Sequence, residues 1–517
     1  MKTSRLQKIV KRTSPTRMFV VSFVILIFIG TVLLTLPISA KSGRFTNPVD
    51  ALFTATSATC VTGLSVYDTF IHWSYFGQGV LLVLIQCGGL GLAAFATGLT
   101  LLVRCRIGIR HLVLARESAG GSNLDVISLL RIVVAFTFAV EALGALLLMA
   151  RFVPLYGGLG VWASVFVSVS AFCNAGFDIL SFIPGNSSLS AFNGDPLVTL
   201  TIAMLIIIGS TGFVVFQDLY RKKISTRLHR QHVEKLSFHA QVCLRASLTL
   251  LVFGTVMLFI LEYNNTYRDL NFFEKLNAAF FQSVNTRTAG FASVSIKQET
   301  DGAKLLTSFL MFIGGCPGST AGGIKVTTLV VLFAAVKSTL CGEDTTTFLR
   351  HRFDPGMVYK SLTVVAFALV VSVLNVSLIL ALHHGVSILD AIIEAVSAFA
   401  TVGLSASLTP TLHPLAKLAL TLTMFIGRVG PVSFGVAILM RKKKSGSVLP
   451  EGRMLIGLFW ILCAFCTGDL CFHRAHFKPV SLRNRGKVWY TILYVFCVLF
   501  RLPKCVSMRQ FTILIQE

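Results

Sequence analysis

Long apolar runs alternate with short basic clusters along most of the chain. The first run, residues 18–40, reads MFVVSFVILIFIGTVLLTLPISA, and runs of similar length recur to about residue 440. Roughly 20 apolar residues in a helix cross a ~30 Å hydrocarbon layer. Between the long runs lies a shorter segment rich in small residues, four times over: FTATSATCVTGLS from Phe53, FVSVSAFCNAGFD from Phe166, FFQSVNTRTAGFA from Phe280 and EAVSAFATVGLSA from Glu394. Anchored on Gly63, Gly176, Gly290 and Gly403, these segments are separated by 113, 114 and 113 residues. A large apolar residue follows each glycine: Leu64, Phe177, Phe291 and Leu404. Ser57, Ser170 and Ser397 stand six positions before it, with Val284 in the third copy. Asp50, Asn277 and Asp390 stand thirteen positions before it, where each is expected to cap a short helix.

The basic clusters orient these units. They fall at residues 2–17, 104–116, 221–235, 350–360 and 441–444, whereas 178–196, 261–271 and 383–389 hold very few Lys or Arg. That alternation is the positive-inside pattern, with the N-terminus cytoplasmic. Each short segment must therefore dip into the membrane and return on the same side. The expected fold is an all-α membrane protein of four tandem helix–pore loop–helix repeats around a central pore, pseudo-four-fold, with about eight full spans. The spans are drawn at 18–40 and 76–103, 126–150 and 196–217, 240–262 and 304–336, and 358–383 and 416–440. The corresponding division is a basic terminus at 1–17, repeats at 18–116, 117–235, 236–352 and 353–444, and a tail at 445–517.

Composition supports the membrane reading. Of 517 residues 54% are hydrophobic and only 13% charged, against roughly a quarter charged in soluble chains. The mean hydropathy is +0.77. The first apolar run exceeds a signal-peptide core, and further runs follow it. The net charge of +24 sits between apolar runs, so no nucleic-acid face is expected. Twelve cysteines suggest no disulfide framework, because those at 60, 87, 173 and 243 lie in or beside apolar stretches.

Irregular backbone at membrane depth survives only where it is buried in protein or lines a watery cavity. Four such loops converging on one axis can present carbonyl rings that replace the water around a cation. Two further features bear on passage. FIGGCPGSTAGGIKVTT, 312–328, packs five glycines and a proline into seventeen residues and must break its helix. It is not a phosphate-binding loop, since Ile324 separates Gly323 from Lys325 and no Gly-Lys-Ser/Thr ending exists. Arg428 lies within the last apolar run, where a guanidinium faces a protein or aqueous interior or snorkels to the inner surface. Glu141 either assists cations or hydrogen-bonds between helices, with the latter preferred. Glu262 and Asp269 are placed at an outer mouth, where they would concentrate cations modestly.

The motifs SATCVTGL, SAFCNAGF, VNTRTAGF and SAFATVGL, in that order, resemble those of the Trk/Ktr/HKT superfamily of potassium transporters, most nearly its KtrB-type translocating subunits. The resemblance covers roughly residues 15–457. It implies a selectivity filter formed by Cys60, Val61, Thr62 and Gly63; Cys173, Asn174, Ala175 and Gly176; Arg287, Thr288, Ala289 and Gly290; and Ala400, Thr401, Val402 and Gly403. It also implies a gate below the filter, made by Gly314, Gly315, Gly318, Ser319, Thr320, Gly322, Gly323 and Lys325 together with Arg428. Glycine at all four filter positions goes with potassium permeability in that family. The implied function is channel-like potassium uptake across the bacterial inner membrane, without enzymatic chemistry. No cofactor is expected in this chain, K+ is the substrate and Na+ a candidate activator. A homodimer and a cytoplasmic nucleotide-binding (RCK/KTN-type) regulatory subunit are the implied partners. The alternative is a cation-coupled secondary transporter with alternating access, since broken helices mark those proteins too. Beyond about residue 457 the resemblance ends. Cys463, Cys466, Cys471, His473 and His476 there match no standard zinc spacing.

Overall fold

A computed structural model describes residues 15–90, 126–183, 188–219, 236–343 and 345–430. The tail and its cysteine–histidine cluster lie outside the described residues, as do all the basic clusters except Pro15–Arg17 and 350–360. Most of the described residues are helical. In chain order the main elements are α1 (Pro15–Thr35), α2 (Pro48–Thr59), α3 (Tyr75–Gly89), α4 (Val126–Tyr156), α5 (Gly158–Cys173) and α6 (Pro196–Thr211). There follow α7 (Phe213–Leu219), α8 (Phe238–Glu262), α9 (Phe272–Asn285), α10 (Asp301–Phe312) and α11 (Val326–Leu340). A two-stranded hairpin (Thr347–Phe348 with His351–Arg352) leads to α12 (Pro355–Leu382), α13 (Ile388–Ala400) and α14 (Pro414–Val429).

Among the described residues, three helices are long and apolar enough to cross a membrane: Val133–Tyr156, Phe238–Glu262 and Pro355–Leu382. They expose large apolar side chains such as Leu146, Ile260 and Leu374, as a surface facing hydrocarbon does. The stretch drawn as a single span at 196–217 is instead two helices bent by 92°. The bend is at Gly212, whose φ of +89° suits glycine alone. The expected break in the glycine-rich segment is present, between Phe312 and Val326.

The short helices α2, α5, α9 and α13 are buried over their C-terminal halves. Each packs against the helix that follows the preceding glycine strip: α3 on α5, α6 on α9, α10 on α13 and α14 on α2. The last pairing joins the two ends of the described chain, so the arrangement closes on itself. The expected caps are corrected by this packing. Asn47, Asn271 and Ser387 stand at the N-caps of α2, α9 and α13. Asn47 accepts from the Val49 amide, and Glu274 returns to the Asn271 amide. Asp50, Asn277 and Asp390 lie inside the helices, where their side chains bond to the neighbouring unit.

Candidate functional site

Each glycine strip is shaped by the end of its short helix. After Thr59 the chain turns through Val61 (φ +57°) to Gly63 (φ +95°), and the other strips repeat this at Asn174/Gly176, Thr288/Gly290 and Thr401/Gly403. Val61, Thr288 and Thr401 are β-branched, so a left-handed φ there is strained by about 1–3 kcal/mol. Backbone bonds hold the turn: Thr62 N donates to Ser57 O at 2.7 Å, Ala175 N to Ser170 O at 2.7 Å and Val402 N to Ser397 O at 2.9 Å. The serines noticed in the sequence add a side-chain bond in two copies, where Gly63 N donates to Ser57 Oγ (3.1 Å) and Gly403 N to Ser397 Oγ (3.0 Å). Val284 has no hydroxyl to offer. In that copy Asn285 takes over, its Oδ1 accepting from Phe291 N at 2.8 Å.

The four glycines form one ring. A Cβ built on Gly63 would lie 2.5 Å from Ala175 O; on Gly176, 2.6 Å from Ala289 O; on Gly290, 2.3 Å from Val402 O; and on Gly403, 2.3 Å from Thr62 O. Each strip thus meets the next in chain order, and the fourth meets the first. Only residues without a Cβ permit this approach.

A second set of glycines escaped the sequence reading. Cβ atoms on Gly88, Gly209 and Gly427 would fall 2.0, 2.0 and 1.9 Å from the carbonyl oxygens of Thr59, Phe172 and Phe399, each four residues before a ring glycine. Their signal was present in FIG at Phe312–Gly314 and Phe425–Gly427 and in IIG at Ile207–Gly209. Ten residues before each of these glycines stands a clasp to the next unit. Gln78 Oε1 accepts from Trp162 Nε1 at 2.7 Å, and Thr199 Oγ1 from Asn277 Nδ2 at 2.8 Å. Lys304 pairs with Asp390 and Lys417 with Asp50, both at 2.8 Å. These four boundaries are therefore fastened by two neutral hydrogen bonds and two ion pairs.

The glycine-rich loop from Ile313 to Lys325 lies against the strips. Its corresponding glycine, Gly314, faces Gly322 O rather than a short-helix carbonyl. Thr320 donates from N to Gly209 O (3.2 Å) and from Oγ1 to Phe172 O (3.3 Å). A Cβ on Gly322 would strike Thr401 Oγ1, and one on Gly323 would touch Ala400 O. Gly318 O accepts from Phe213 N at the α6–α7 bend, Ser319 Oγ donates to Cys316 O and Lys325 Nζ to Ala321 O. Cys316 N reaches Ser210 O at 3.0 Å, beside Gly315.

Arg428 donates from Nη1 to Thr320 O and from Nη2 to Gly88 O. It therefore ties α14 to the loop and to α3, and no carboxylate pairs with it among the described residues. Arg287 behaves differently. Its Nη1 donates to Ser247 O on α8 at 3.1 Å, so its side chain runs behind the strip and only its backbone shares the strip with Thr288, Ala289 and Gly290. Glu141 accepts from Gln86 Nε2 at 3.1 Å on both oxygens and from Cys173 Sγ at 3.7 Å, the interhelical role preferred from sequence. Glu262 is corrected: it is 1% exposed and accepts from Asn265, Thr266 and Thr300. Its lone pairs are filled, so it cannot gather cations at a mouth. Asp269 is exposed.

Comparison with known proteins decides the family. A family model described as "TrkH: Cation transport protein" matches residues 3–447. The chain belongs to the TrkH family. Among its relatives is the "Ktr system potassium uptake protein B" of Bacillus subtilis, 37% identical over 464 residues, spanning 88% of this chain and all of that one. The "Potassium/sodium uptake protein NtpJ" of Enterococcus hirae is 34% identical across 87% of this chain and 99% of its own length. Among solved structures, the potassium transporter TrkH from Vibrio parahaemolyticus shares the fold, with a TM-score of 0.63, 18% identity, and coverage of 83% and 86% of the two chains. The helical architecture described above is thus that of the TrkH family.

Proposed function

We propose that this chain is the ion-translocating subunit of a gated potassium uptake system in a bacterial cell membrane. The carrying observation is the closed ring of Gly63, Gly176, Gly290 and Gly403. On this reading each of four units comprises a span, a pore loop and a second span, giving about eight crossings with the N-terminus cytoplasmic. Carbonyls of the four strips strip water from a passing cation and replace it. The names of the two relatives, potassium uptake and potassium/sodium uptake, support K+ as the cargo and Na+ as activator. Selectivity is then carried by backbone, with the Cys60, Cys173 and Arg287 side chains turned away from the ion. The loop holding Gly314, Gly315, Gly318, Ser319, Thr320, Gly322, Gly323 and Lys325 closes the path below the ring, and Arg428 latches it. Two copies of the chain assemble on a cytoplasmic nucleotide-binding ring, which supplies the control that this chain's motifs lack. Alternating access between two inverted halves fits four equal strips less well.

The decisive test is growth of a potassium-uptake-deficient bacterium at low potassium, with rubidium uptake measured with and without sodium. Rescue and rubidium uptake are expected when the regulatory subunit is coexpressed. Correctly inserted protein that carries sodium or a solute but no rubidium would sink the potassium assignment.

A further inference from the structure

Behind the third strip two free thiols meet. Cys243 stands near the start of α8 and Cys316 in the glycine-rich loop, and both are buried. Cys316 Sγ lies 4.0 Å from Cys243 O, and both cysteines pack in one buried cluster with Val215 and Ala240. Each also has its own polar neighbour. Ser247 Oγ is 3.4 Å from Cys316 Sγ, and His239 Nε2 is 3.6 Å from Cys243 Sγ. Two cations are anchored close by: Arg287 Nη1 donates to Ser247 O, on the residue whose Oγ faces Cys316, and Lys325 Nζ donates to Ala321 O in the same loop. His239 is half-buried at the start of α8, two residues from exposed Ser237, so a small oxidant approaches from that side.

Plain packing explains two buried cysteines as small apolar fillers. It does not explain a hydroxyl, an imidazole and two cations gathered on one pair of sulfurs, one of them on the element that must move. We propose that Cys243 and Cys316 form a redox-modification site, closed to a disulfide by a peroxide, which ties the glycine-rich loop to α8. The inference rests on the loop's proposed role as gate. The thiolate of Cys316 attacks the peroxide oxygen, breaking the O–O bond and giving a sulfenic acid and hydroxide. The sulfur of Cys243 then attacks that sulfenic sulfur, His239 accepts the thiol proton, and hydroxide leaves as the S–S bond forms. The two thiol protons end in water, so two thiols and hydrogen peroxide give one disulfide and two waters. The loop's other ties to its surroundings are individual hydrogen bonds of about 1 kcal/mol net each, which break and reform as it moves. A covalent tie does not, and it forms here with the loop against the strips.

The test uses the full-length protein in vesicles, treated with hydrogen peroxide and then dithiothreitol. Mass spectrometry of the peptides containing Cys243 and Cys316 is paired with rubidium flux. A cross-linked peptide pair is expected, with flux falling roughly tenfold, the fall that a shift of about 1.4 kcal/mol toward the closed loop would give, and returning on reduction. Cys243→Ser should keep its untreated flux and lose both responses, with Cys243→Ala as a second variant should the first fold poorly. Absence of the cross-link, a cross-link that leaves flux unchanged, or an equal loss in both variants would overturn the site. If untreated protein carries no rubidium at all, the potassium reading fails, and formation or absence of the cross-link still decides whether the site exists.

Discussion

The ring glycines are the residues on which the fewest alternatives are open. Gly403 combines a φ of +95° with a Cβ position 2.3 Å from Thr62 O and 3.0 Å from the Gly63 Cα. Backbone strain alone costs about 1–3 kcal/mol there, and the overlap pushes two strips apart. Gly403→Ala should lower rubidium flux and K+/Na+ discrimination by about tenfold or more, taking 1.4 kcal/mol per tenfold. Gly43→Ala is the control, since Gly43 has φ +66° but nothing within 4 Å; equal losses in both variants would mean that strain rather than ring geometry is being measured. A second residue reports on pH. Glu299, in the connection before α10, accepts from Gln282 and Thr307. Burial, reinforced by the nearby Glu262 charge, pushes its carboxyl up to about 7 from an ordinary 4.5. The folded protein thus holds a proton that an unfolded carboxyl releases near 4.5. The contribution to stability is full below that pH and is lost as pH rises through about 7. Thermal unfolding in detergent should show the midpoint falling from pH 6 to pH 8, and Glu299→Gln should flatten that slope. Asp178, pushed up to about 6 by loss of water, loses its share at lower pH. An unchanged slope in the glutamine variant would remove Glu299 from the account.

At the scale of elements, the units are held by clasps of unequal chemistry. Lys417 and Asp50 are both buried, and Tyr67 also donates to Asp50 at 2.7 Å. Removing one partner of a buried pair leaves a stranded charge, a loss of about 3–5 kcal/mol, whereas replacing both is often nearly neutral. Lys417→Met should therefore depress the unfolding midpoint more than Lys417→Met with Asp50→Asn does. Trp162→Phe, which breaks the neutral bond to Gln78 and trims a ring packed beside Phe166, should cost about 1–3 kcal/mol. Strictly additive effects in the Asp50–Lys417 cycle would mean that the pair contributes no coupling. These clasps show where the sequence could and could not be read. Asp50, Asn277 and Asp390 stood out by their even spacing, but a residue near a helix start reads locally as a cap. The partners that give them another role are 367, 78 and 86 positions away. Local rules contain no such term. The strips, by contrast, were legible because each is set by its own few residues and then repeated.

Across the whole described chain, the copies agree in backbone and differ in side chains. The ring glycines and the second glycine set follow one geometry, while the third copy diverges: α10 stops at Phe312, and Gly314 faces Gly322 O of its own loop where Gly88, Gly209 and Gly427 face a short-helix carbonyl. The repeat was visible in the sequence as spacing, and the break as a glycine-rich run. That Arg428 spans from the fourth unit to both the first and the third was not, because its partners Gly88 and Thr320 contribute only backbone oxygens, which every residue possesses. This bridge gives the last prediction. A guanidinium with no carboxylate partner among the described residues repels any cation below the ring, while its donors fix the loop in place. On the proposed reading of the loop as a gate both effects oppose passage, so Arg428→Ala and Arg428→Gln should raise rubidium flux. Lys at this position keeps the charge but loses the two-pronged fork, so Arg428→Lys separates the terms. Flux near the wild-type level in the lysine variant would assign the barrier to charge, and flux near the alanine level would assign it to the latch. Unchanged or lower flux in well-inserted alanine and glutamine variants would show that Arg428 supports the fold without closing the path.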